Sequence, residues 1–326
     1  MDTTTETILR TQLQQRRQRL AGGIATAGDS APLVRLLQEV DAALERLDTG
    51  TYGLCDICHD PVEQERLMAD PLLRNCLDHL TPDQQRALEQ DLDLAGRIQG
   101  ELLPERNLRV NGWEVGYHYE GVGPVSGDYC DVLTTGDGAL VFLLGDVSGK
   151  GIAASMLMSH LHAMFRSLIT VGLPFDQLMQ QANRVFCEST LPGVYATLVC
   201  GKAGRTGEVE ICNAGHCPPL LIRNGTSEGI EANGLPLGLF CSGPFGVTRL
   251  AMNPGDSLLL YTDGLSEARN SSNTEYGVDR LARVARDNGR RPPQAIVGAC
   301  LQDLAAFLSG VARTDDLAVM AVQRAA

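Results

Sequence analysis

Hydrophobic side chains near the amino terminus recur at helical spacing. Across residues 32–48 they fall three and four positions apart, the pattern of an amphipathic helix with one buried face: Leu33, Leu36, Leu37, Val40, Ala43, Leu44 and Leu47. A second helix is predicted over residues 2–20, and the glycine- and alanine-rich stretch 21–32 indicates a break between the two. Residues 1–50 are therefore predicted to form a helical hairpin.

The pattern changes from about Trp113 onward, where short apolar and β-branched runs alternate with glycine-containing turns. Such runs predict strands. Helical patterns occur among them in two consecutive pairs, at residues 152–170, 175–188, 277–287 and 293–308. Many strands combined with helix pairs favour stacked layers of sheet and helix over a regular βαβ repeat. We therefore expect an α+β fold for this region.

Length and charge limit the classes of protein. The chain has 326 residues, which is enough for about two domains. Its net charge of −13 argues against a duplex nucleic-acid partner, which normally requires a basic face. The polar start lacks the apolar core of a signal peptide, and runs such as residues 139–144 are far shorter than the roughly 20 residues of a membrane span. We expect a cytoplasmic protein without a nucleic-acid or membrane partner.

The ten cysteines fall into two groups. Three lie close together near the amino terminus. The other seven are scattered singly through apolar segments, a distribution that in a cytosolic chain favours small buried hydrophobic residues over disulfides: Cys130, Cys187, Cys200, Cys212, Cys217, Cys241 and Cys300.

Four aspartates lie at the ends of predicted strands: Asp128, Asp146, Asp263 and Asp315. Any one of them alone is commonly a turn residue. If the strand ends met at one edge, the carboxylates would share a cleft, and their repulsion would favour a bound cation. Oxygen ligands without histidine or cysteine select Mg²⁺ or Mn²⁺. The glycine-rich segment 145–151 does not fit a nucleotide-binding P-loop, because its first two glycines are one residue too close.

Five motifs in order carry a family resemblance: "SGDYCDV", "GDVSGKGIAASM", "NAGHCPPLL", "YTDGLSEA" and "TDDLAVMAV". They resemble the SpoIIE/RsbU-like branch of the metal-dependent protein phosphatases, the type 2C superfamily, over about residues 105–326. The resemblance implies a four-layer α-β-β-α sandwich with two Mg²⁺ or Mn²⁺ ions. It also implies hydrolysis of phosphoserine and phosphothreonine in proteins.

The resemblance assigns roles to individual positions. Asp146 is expected to bridge both metals together with the backbone carbonyl of Val147, and Asp263 and Asp315 to hold the outer sides of the pair. Asp128 is expected to bind directly or through a metal-bound water, with Asp131 nearby. A hydroxide held by the two metals would attack phosphorus in line, without a covalent enzyme intermediate.

The amino-terminal cysteines form two knuckles with His79, in the pattern C-x2-C-x17-C-x2-H: Cys55, Cys58, Cys76 and His79. Four such ligands suit a closed structural zinc site. His59 is a weaker competitor for the fourth place, and a site that has lost its metal is the alternative. Residues 51–82 resemble the DksA/TraR zinc finger, a family that enters the secondary channel of RNA polymerase. The helices here are short, so we expect a scaffold for dimerisation or docking, not a polymerase effector.

Residues 83–104 form a predicted linker helix with two apolar stripes. Leu88, Leu92, Ala95 and Leu102 follow roughly heptad spacing, and Leu94 and Ile98 form a second stripe. The segment resembles the helix that couples sensory input to activity in this phosphatase branch. We expect it to pair in a homodimer and to order the metal site, although simple packing on the following domain fits the same pattern.

Together these patterns predict a metal-dependent protein serine/threonine phosphatase with an amino-terminal zinc module. By the resemblance, its substrate is a phosphorylated regulatory protein, for which an anti-sigma-factor antagonist is a candidate. The alternative is a DksA-like binding protein that modulates transcription and carries an inactive phosphatase domain. Activity requires the complete carboxylate set, which the chain has.

Overall fold

The computed structural model describes residues 3–24 and 31–325. The chain divides into two compact units, Met1–Asp91 and Leu92–Ala326. The second unit takes in residues 92–104, which the sequence pattern assigns to a linker. Among the described residues, every helix is too short or too polar to cross a membrane.

The first unit is helical, as the hydrophobic spacing predicts. Its elements are α1 (Thr3–Ile24), α2 (Ala31–Thr49), α3 (Gln64–Ala69), a 3₁₀ turn at Leu77–His79, and the start of α4 (Pro82–Leu102). Val40, Ala43 and Leu47 of α2 are buried with Leu9 and Leu13 of α1 in one hydrophobic cluster. Helix α1 continues through residues 21–24 of the predicted break, and residues 25–30 of that break lie outside the described residues.

The second unit contains eleven strands and the remaining helices in the described residues. In chain order these are β1 (Leu108–Val110), β2 (Trp113–Glu120), β3 (Asp128–Thr134), β4 (Leu140–Val147), α5 (Gly151–Ile169), α6 (Phe175–Ser189), β5 (Ala196–Ala203), β6 (Glu208–Ala214), β7 (Leu220–Arg223), β8 (Thr226–Gly229), β9 (Thr248–Ala251), β10 (Ser257–Tyr261), α7 (Asp263–Ser266), α8 (Val278–Asn288), α9 (Pro293–Leu308) and β11 (Leu317–Arg324). The two predicted helix pairs correspond to α5–α6 and α8–α9.

Two antiparallel sheets stack in the middle of this unit. One has the strand order β1-β2-β11-β10-β7-β8 and the other β3-β4-β5-β6-β9. Phe142 of β4, Leu260 of β10 and Met320 of β11 belong to the buried cluster between the sheets. Helices α5 and α6 cover the five-stranded sheet, and α8 and α9 cover the six-stranded sheet. The predicted α-β-β-α sandwich is therefore confirmed.

Strand alternation separates the two aspartates of β3. Successive side chains point to opposite faces of a sheet, so residues three apart face opposite ways. Asp128 faces the space between the sheets, whereas Asp131 faces helix α5, where Arg166 donates two hydrogen bonds to its carboxylate at 2.8 and 2.9 Å. The expectation that Asp131 lies beside the metal ligands is wrong for this reason.

Two of the scattered cysteines form a disulfide, which corrects the expectation that all seven are unpaired. Cys187 at the end of α6 is bonded to Cys241, with a Cα–Cα distance of 5.5 Å. Asn183 brings the two segments together, because its amide donates to the Phe240 carbonyl and accepts from the Gly238 amide. The other five are free, and all but the half-buried Cys217 are buried, as expected.

The buried Asp131 carboxylate makes Arg166 important for stability. Asp131 has no exposed side-chain surface, whereas Arg166 is 45% exposed. Arg166→Met should lower the free energy of unfolding by about 2–4 kcal/mol, because it leaves a buried carboxylate without its ion-pair partner. Urea unfolding of the full chain measures the loss.

Arg184→Met is the matched control. Arg184 pairs with Glu188 one turn further along the same helix, α6, and both side chains are largely exposed, so its loss should change the free energy of unfolding little. Equal effects of the two substitutions would contradict the importance of the buried pair.

Candidate metal sites

Asp128 and Asp146 face each other across neighbouring strands. The register of β3 and β4 pairs them directly, and directly opposite residues have Cβ atoms about 4.5–5.5 Å apart. Asp128 is buried, and the hydroxyl of Thr262 donates a hydrogen bond to its Oδ2 at 3.0 Å. Since Thr262 follows β10 of the other sheet, the aspartate pair lies where the two sheets meet.

Asp263 and Asp315 come from adjacent strands of the six-stranded sheet. Because β10 and β11 are antiparallel neighbours, the end of β10 meets the start of β11. Asp263 follows β10 and Asp315 precedes β11. A Cβ on Gly264 would lie 1.8 Å from the Asp316 carbonyl oxygen, so glycine is required for the two segments to approach this closely.

The carboxylates are close enough to perturb one another. Burial, followed by the charges of Asp263, Asp315 and Asp316, raises the pKa of Asp146 to about 7. Burial and then Asp146 raise the pKa of Asp128 well above its usual range. The pKa of Asp263 is also raised, by burial and then by Asp315. The structure therefore brings the four predicted aspartates into one electrostatically coupled cluster.

A small space lies beside Asp146. A Cβ on Gly127 would lie 3.1 Å from the Ala154 side chain, 3.4 Å from the Val147 carbonyl oxygen and 3.5 Å from Asp146 Oδ1. The Val147 carbonyl and the Asp146 carboxylate therefore both border the space that glycine leaves. These two oxygen donors, with the neighbouring carboxylates, fit a hard divalent cation.

Lys150 and Asp316 lie beside the aspartate cluster. The sequence motifs did not reveal the roles of these two residues. The Lys150 ammonium donates to Asp315 Oδ2 at 2.9 Å and to the Thr314 carbonyl. Asp316 accepts hydrogen bonds at 2.8 Å from the backbone amides of Val122 and Gly127. Asp316 thus fixes the loop before β3. Its only sequence signal is its place as the second aspartate of "TDD".

A cleft of about 400 Å³ adjoins the cluster. Asp263 and Asp315 form one end of it, and Arg269 and Arg313 are among its lining residues. Arg313 is also paired with Glu120 at 2.6 Å. The cleft thus joins the carboxylates to guanidinium groups, which suit an anionic ligand.

The four predicted zinc ligands also come together, within the first unit. The ligand atoms of Cys55, Cys58, Cys76 and His79 all lie within 4.8 Å of one another. Cys76 Sγ is 3.7 Å from Cys58 Sγ and 3.2 Å from His79 Nδ1. His59 does not belong to this group.

Local structure explains how the two zinc knuckles form. His59 adopts a left-handed conformation with φ of 60°, and its amide donates to the Cys55 carbonyl at 2.9 Å. His79 ends the short 3₁₀ turn, in which its amide donates to the Cys76 carbonyl at 3.0 Å. Each turn therefore brings the second ligand of its knuckle back toward the first.

The two candidate sites differ in compactness. Within residues 3–24 and 31–325, the cysteine–histidine group alone has at least three such ligand atoms all within 4.8 Å of one another. The aspartates are more widely spread. Two ions about 3.5–4 Å apart also need ligands on opposite sides of the pair, so a wider spacing is compatible with a two-ion site.

Comparison with known proteins agrees with this geometry. A sequence model of the family described as Stage II sporulation protein E (SpoIIE) matches residues 136–325, a range that includes Asp146, Asp263 and Asp315. Asp128 lies just before the matched range.

Individual curated relatives share low sequence identity with this chain. Protein IcfG of Synechocystis is 26% identical over 267 residues, covering 72% of this chain and 41% of that protein. Phosphoserine phosphatase RsbU of Bacillus subtilis is 24% identical over 188 residues, covering 57% of this chain and 56% of RsbU. The chain thus spans about half the length of the curated relatives it matches.

The fold has counterparts among solved structures. The SiaA-PP2C domain of Pseudomonas aeruginosa superposes with a TM-score of 0.65 at 19% identity, covering 75% of this chain and 99% of that domain. The two-sheet sandwich is therefore a PP2C-type fold. Since the family model covers more than half of the 326 residues, this chain belongs to the Stage II sporulation protein E (SpoIIE) family.

Proposed function

We propose that this chain is a metal-dependent protein serine/threonine phosphatase acting on a phosphorylated regulatory protein. The observation that carries the proposal is the meeting of Asp128, Asp146, Asp263 and Asp315 at one end of the two sheets. Their burial and mutual repulsion raise the pKa of Asp146 to about 7, and a divalent cation relieves such repulsion. The relative RsbU is named as a phosphoserine phosphatase.

In this proposal, the Asp146 carboxylate, the Val147 carbonyl, Asp263 and Asp315 would hold two Mg²⁺ or Mn²⁺ ions. Asp128 would bind directly or through a water molecule. When bound, such ions polarise a phosphoryl oxygen and lower the pKa of water. The space beside Gly127, which both Asp146 and Val147 border, supports this assignment.

The arginines of the adjoining cleft suit a phosphorylated substrate. A guanidinium group matches phosphate with two parallel hydrogen bonds. Arg313, paired with Glu120 at 2.6 Å, and Arg269, paired with Glu275, both line this cleft. We place the phosphoester at the carboxylate end of the cleft, next to Asp263 and Asp315.

A partner-switching role follows from the same proposal, with a phosphorylated anti-sigma-factor antagonist as a candidate substrate. The alternative, a DksA-like modulator of transcription with an inactive phosphatase domain, is less well supported. It leaves the complete carboxylate cluster without a purpose, and the family match covers the phosphatase region.

The first test is phosphate release from a phosphoserine peptide by the full chain. We expect activity with Mn²⁺, none with EDTA, and a loss of about 100-fold or more in Asp146→Asn, because metal-ion catalysis contributes several kcal/mol. Asp287→Asn, at an exposed ion pair on α8, is the control and should keep wild-type activity.

Full activity in EDTA or in Asp146→Asn would contradict the proposal. If the full chain is inactive, the fragment 92–326 distinguishes an inhibited enzyme from an inactive one. The fragment starts at Leu92 because the second unit begins there and includes Gln99, which is buried and donates to the Ser126 carbonyl.

We further propose that Cys55, Cys58, Cys76 and His79 bind a structural zinc ion. The convergence of their ligand atoms within 4.8 Å supports this assignment, because Cys₃His is a common ligand set of closed tetrahedral sites. The metal would link the turn at Cys55 to the 3₁₀ turn that carries His79. It would thereby stabilise a segment with few regular elements.

Zinc analysis of the purified chain tests this proposal. We expect about one zinc per chain in the wild type and in His59→Ala, and much less in His79→Ala and Cys58→Ser, since structural zinc requires its full ligand set. Elemental analysis after gel filtration provides the measurement. A wild type without zinc, or equal loss from the two histidine variants, would contradict the assignment.

We also propose that α4 forms a homodimer and orders the metal site. Leu92, Ala95 and Leu102 of its first stripe belong to the second unit and are partly buried. Leu94 and Ile98, the second stripe, are 47% and 57% exposed. A lone surface helix needs only one apolar face, so the exposed stripe supports a partner helix.

Gln99 connects the same helix to the aspartate cluster. Its amide donates to the Ser126 carbonyl at 2.7 Å, and its Oε1 accepts from the Ser126 amide at 2.9 Å. The Ser126 hydroxyl in turn accepts from the Asp128 amide at 3.1 Å. A change in the position of α4 would therefore be transmitted to Asp128.

Light scattering tests the dimer. The double variant Leu94→Glu/Ile98→Glu should be monomeric, because it places four charges in the paired stripe of the dimer. Gln90→Glu, at an exposed position on α4, adds charge outside the stripe and should remain dimeric. A monomeric wild type, or a dimer that survives the double substitution, would contradict the pairing.

A further inference from the structure

His216 lies in a turn whose conformation is fixed on several sides. The turn follows β6, and the fully buried Asn213 holds it: its Oδ1 accepts from the His216 amide at 2.8 Å, and its Nδ2 donates to the His216 carbonyl at 3.1 Å. Gly215 has a φ of +69°, and a Cβ there would lie 2.7 Å from the Pro236 ring. These contacts determine where the imidazole of His216 lies.

The imidazole contacts the strand next to Asp146. His216 Nδ1 lies 2.8 Å from the Thr197 hydroxyl. Thr197 is the direct partner of Asp146 in the β4–β5 register, and its hydroxyl is 3.4 Å from the Asp146 carbonyl oxygen. One side chain therefore separates His216 from the backbone of the central aspartate.

The imidazole ring of His216 is buried and neutral. Burial lowers the pKa of His216 to about 4, and Nε2 makes no hydrogen bond with any described residue. With the ring proton on Nδ1, the imidazole donates to the Thr197 hydroxyl, whose own proton is then free for the Asp146 carbonyl oxygen.

We infer that His216 is a positioning residue for the carboxylate cluster, because it holds the Thr197 hydroxyl against the backbone of Asp146. This inference rests on the proposed metal-dependent function, because it concerns the aspartates as ligands. His216 itself is not a ligand in this scheme. It acts through Thr197, the direct partner of Asp146 in the β4–β5 register, and groups that orient metal ligands affect metal affinity without touching the ion.

Mn²⁺ binding to the full chain, measured by titration calorimetry, tests the inference independently of phosphatase activity. We expect His216→Ala and Thr197→Val each to weaken binding by about tenfold, the usual effect of losing a group that orients a ligand. His216→Asn should stay near wild type, because its amide Nδ2 can replace Nδ1 as the donor to the Thr197 hydroxyl. His216→Gln reaches the Nε2 position instead and should not rescue binding.

A double variant tests whether the two residues act together. His216→Ala/Thr197→Val should bind Mn²⁺ no more weakly than either single variant, because both remove the same interaction. Additive losses would overturn the route through Thr197. If His216→Ala fails to fold, Thr197→Val and His216→Asn still decide the question.

Other outcomes separate this inference from the proposed function. A variant His216→Ala that melts at a lower temperature but binds Mn²⁺ like the wild type would show a purely structural role and overturn the inference. A wild type that binds Mn²⁺ but releases no phosphate would overturn the phosphatase proposal alone. A wild type that binds no Mn²⁺ would overturn both.

Discussion

Electrostatic repulsion among the carboxylates at the strand ends is the constraint around which the second unit is organised. Asp128 and Asp146 sit opposite each other on neighbouring strands, and Asp263 and Asp315 approach from the other sheet. Burial and neighbouring charges disfavour the charged forms of Asp128, Asp146 and Asp263. The fold offsets part of this cost locally, through the Thr262 hydroxyl on Asp128 and the Lys150 ammonium on Asp315.

The hydrophobic core between the sheets makes such an arrangement sustainable. Strands β2, β4, β10 and β11 contribute fully buried apolar side chains to this layer, and each large apolar side chain contributes about 1.5–3 kcal/mol when buried. A close-packed core resists deformation. The strand ends are therefore held in place even though the charges they carry repel one another, which is the condition for a preorganised site.

Loops near the cluster are fixed by individual polar groups. Asp316 holds the segment before β3 through two backbone amides, Gln99 holds Ser126 from helix α4, and Asn213 holds the turn that carries His216. The side chains of Gln99 and Asn213 are buried and matched with partners, as expected where an unpaired polar group would cost about 1–3 kcal/mol. Through these contacts, helix α4 and the turn after β6 reach the same small region.

The local pattern of hydrophobic and polar residues was sufficient to predict much of the fold. Hydrophobic spacing located the hairpin helices and the two helix pairs to within a few residues, because amphipathic periodicity directly reflects which face is buried. The aspartates at strand ends were also recognisable, since apolar runs followed by Asp and Gly mark the points where strands end. Even the misplacement of Asp131 was avoidable, as a residue three positions from Asp128 on a strand faces the opposite way.

The sequence by itself determined the layered α+β architecture, the candidate carboxylates and the spacing of the cysteine–histidine group, because these depend on residues near one another in the chain. Only the tertiary structure decided that Cys187 bonds Cys241, that Asp316 anchors the loop before β3, and that His216 contacts Thr197. Those relations join residues 54, 189 and 19 positions apart. Such pairings arise from how sheets and turns pack in space, which local periodicity does not encode.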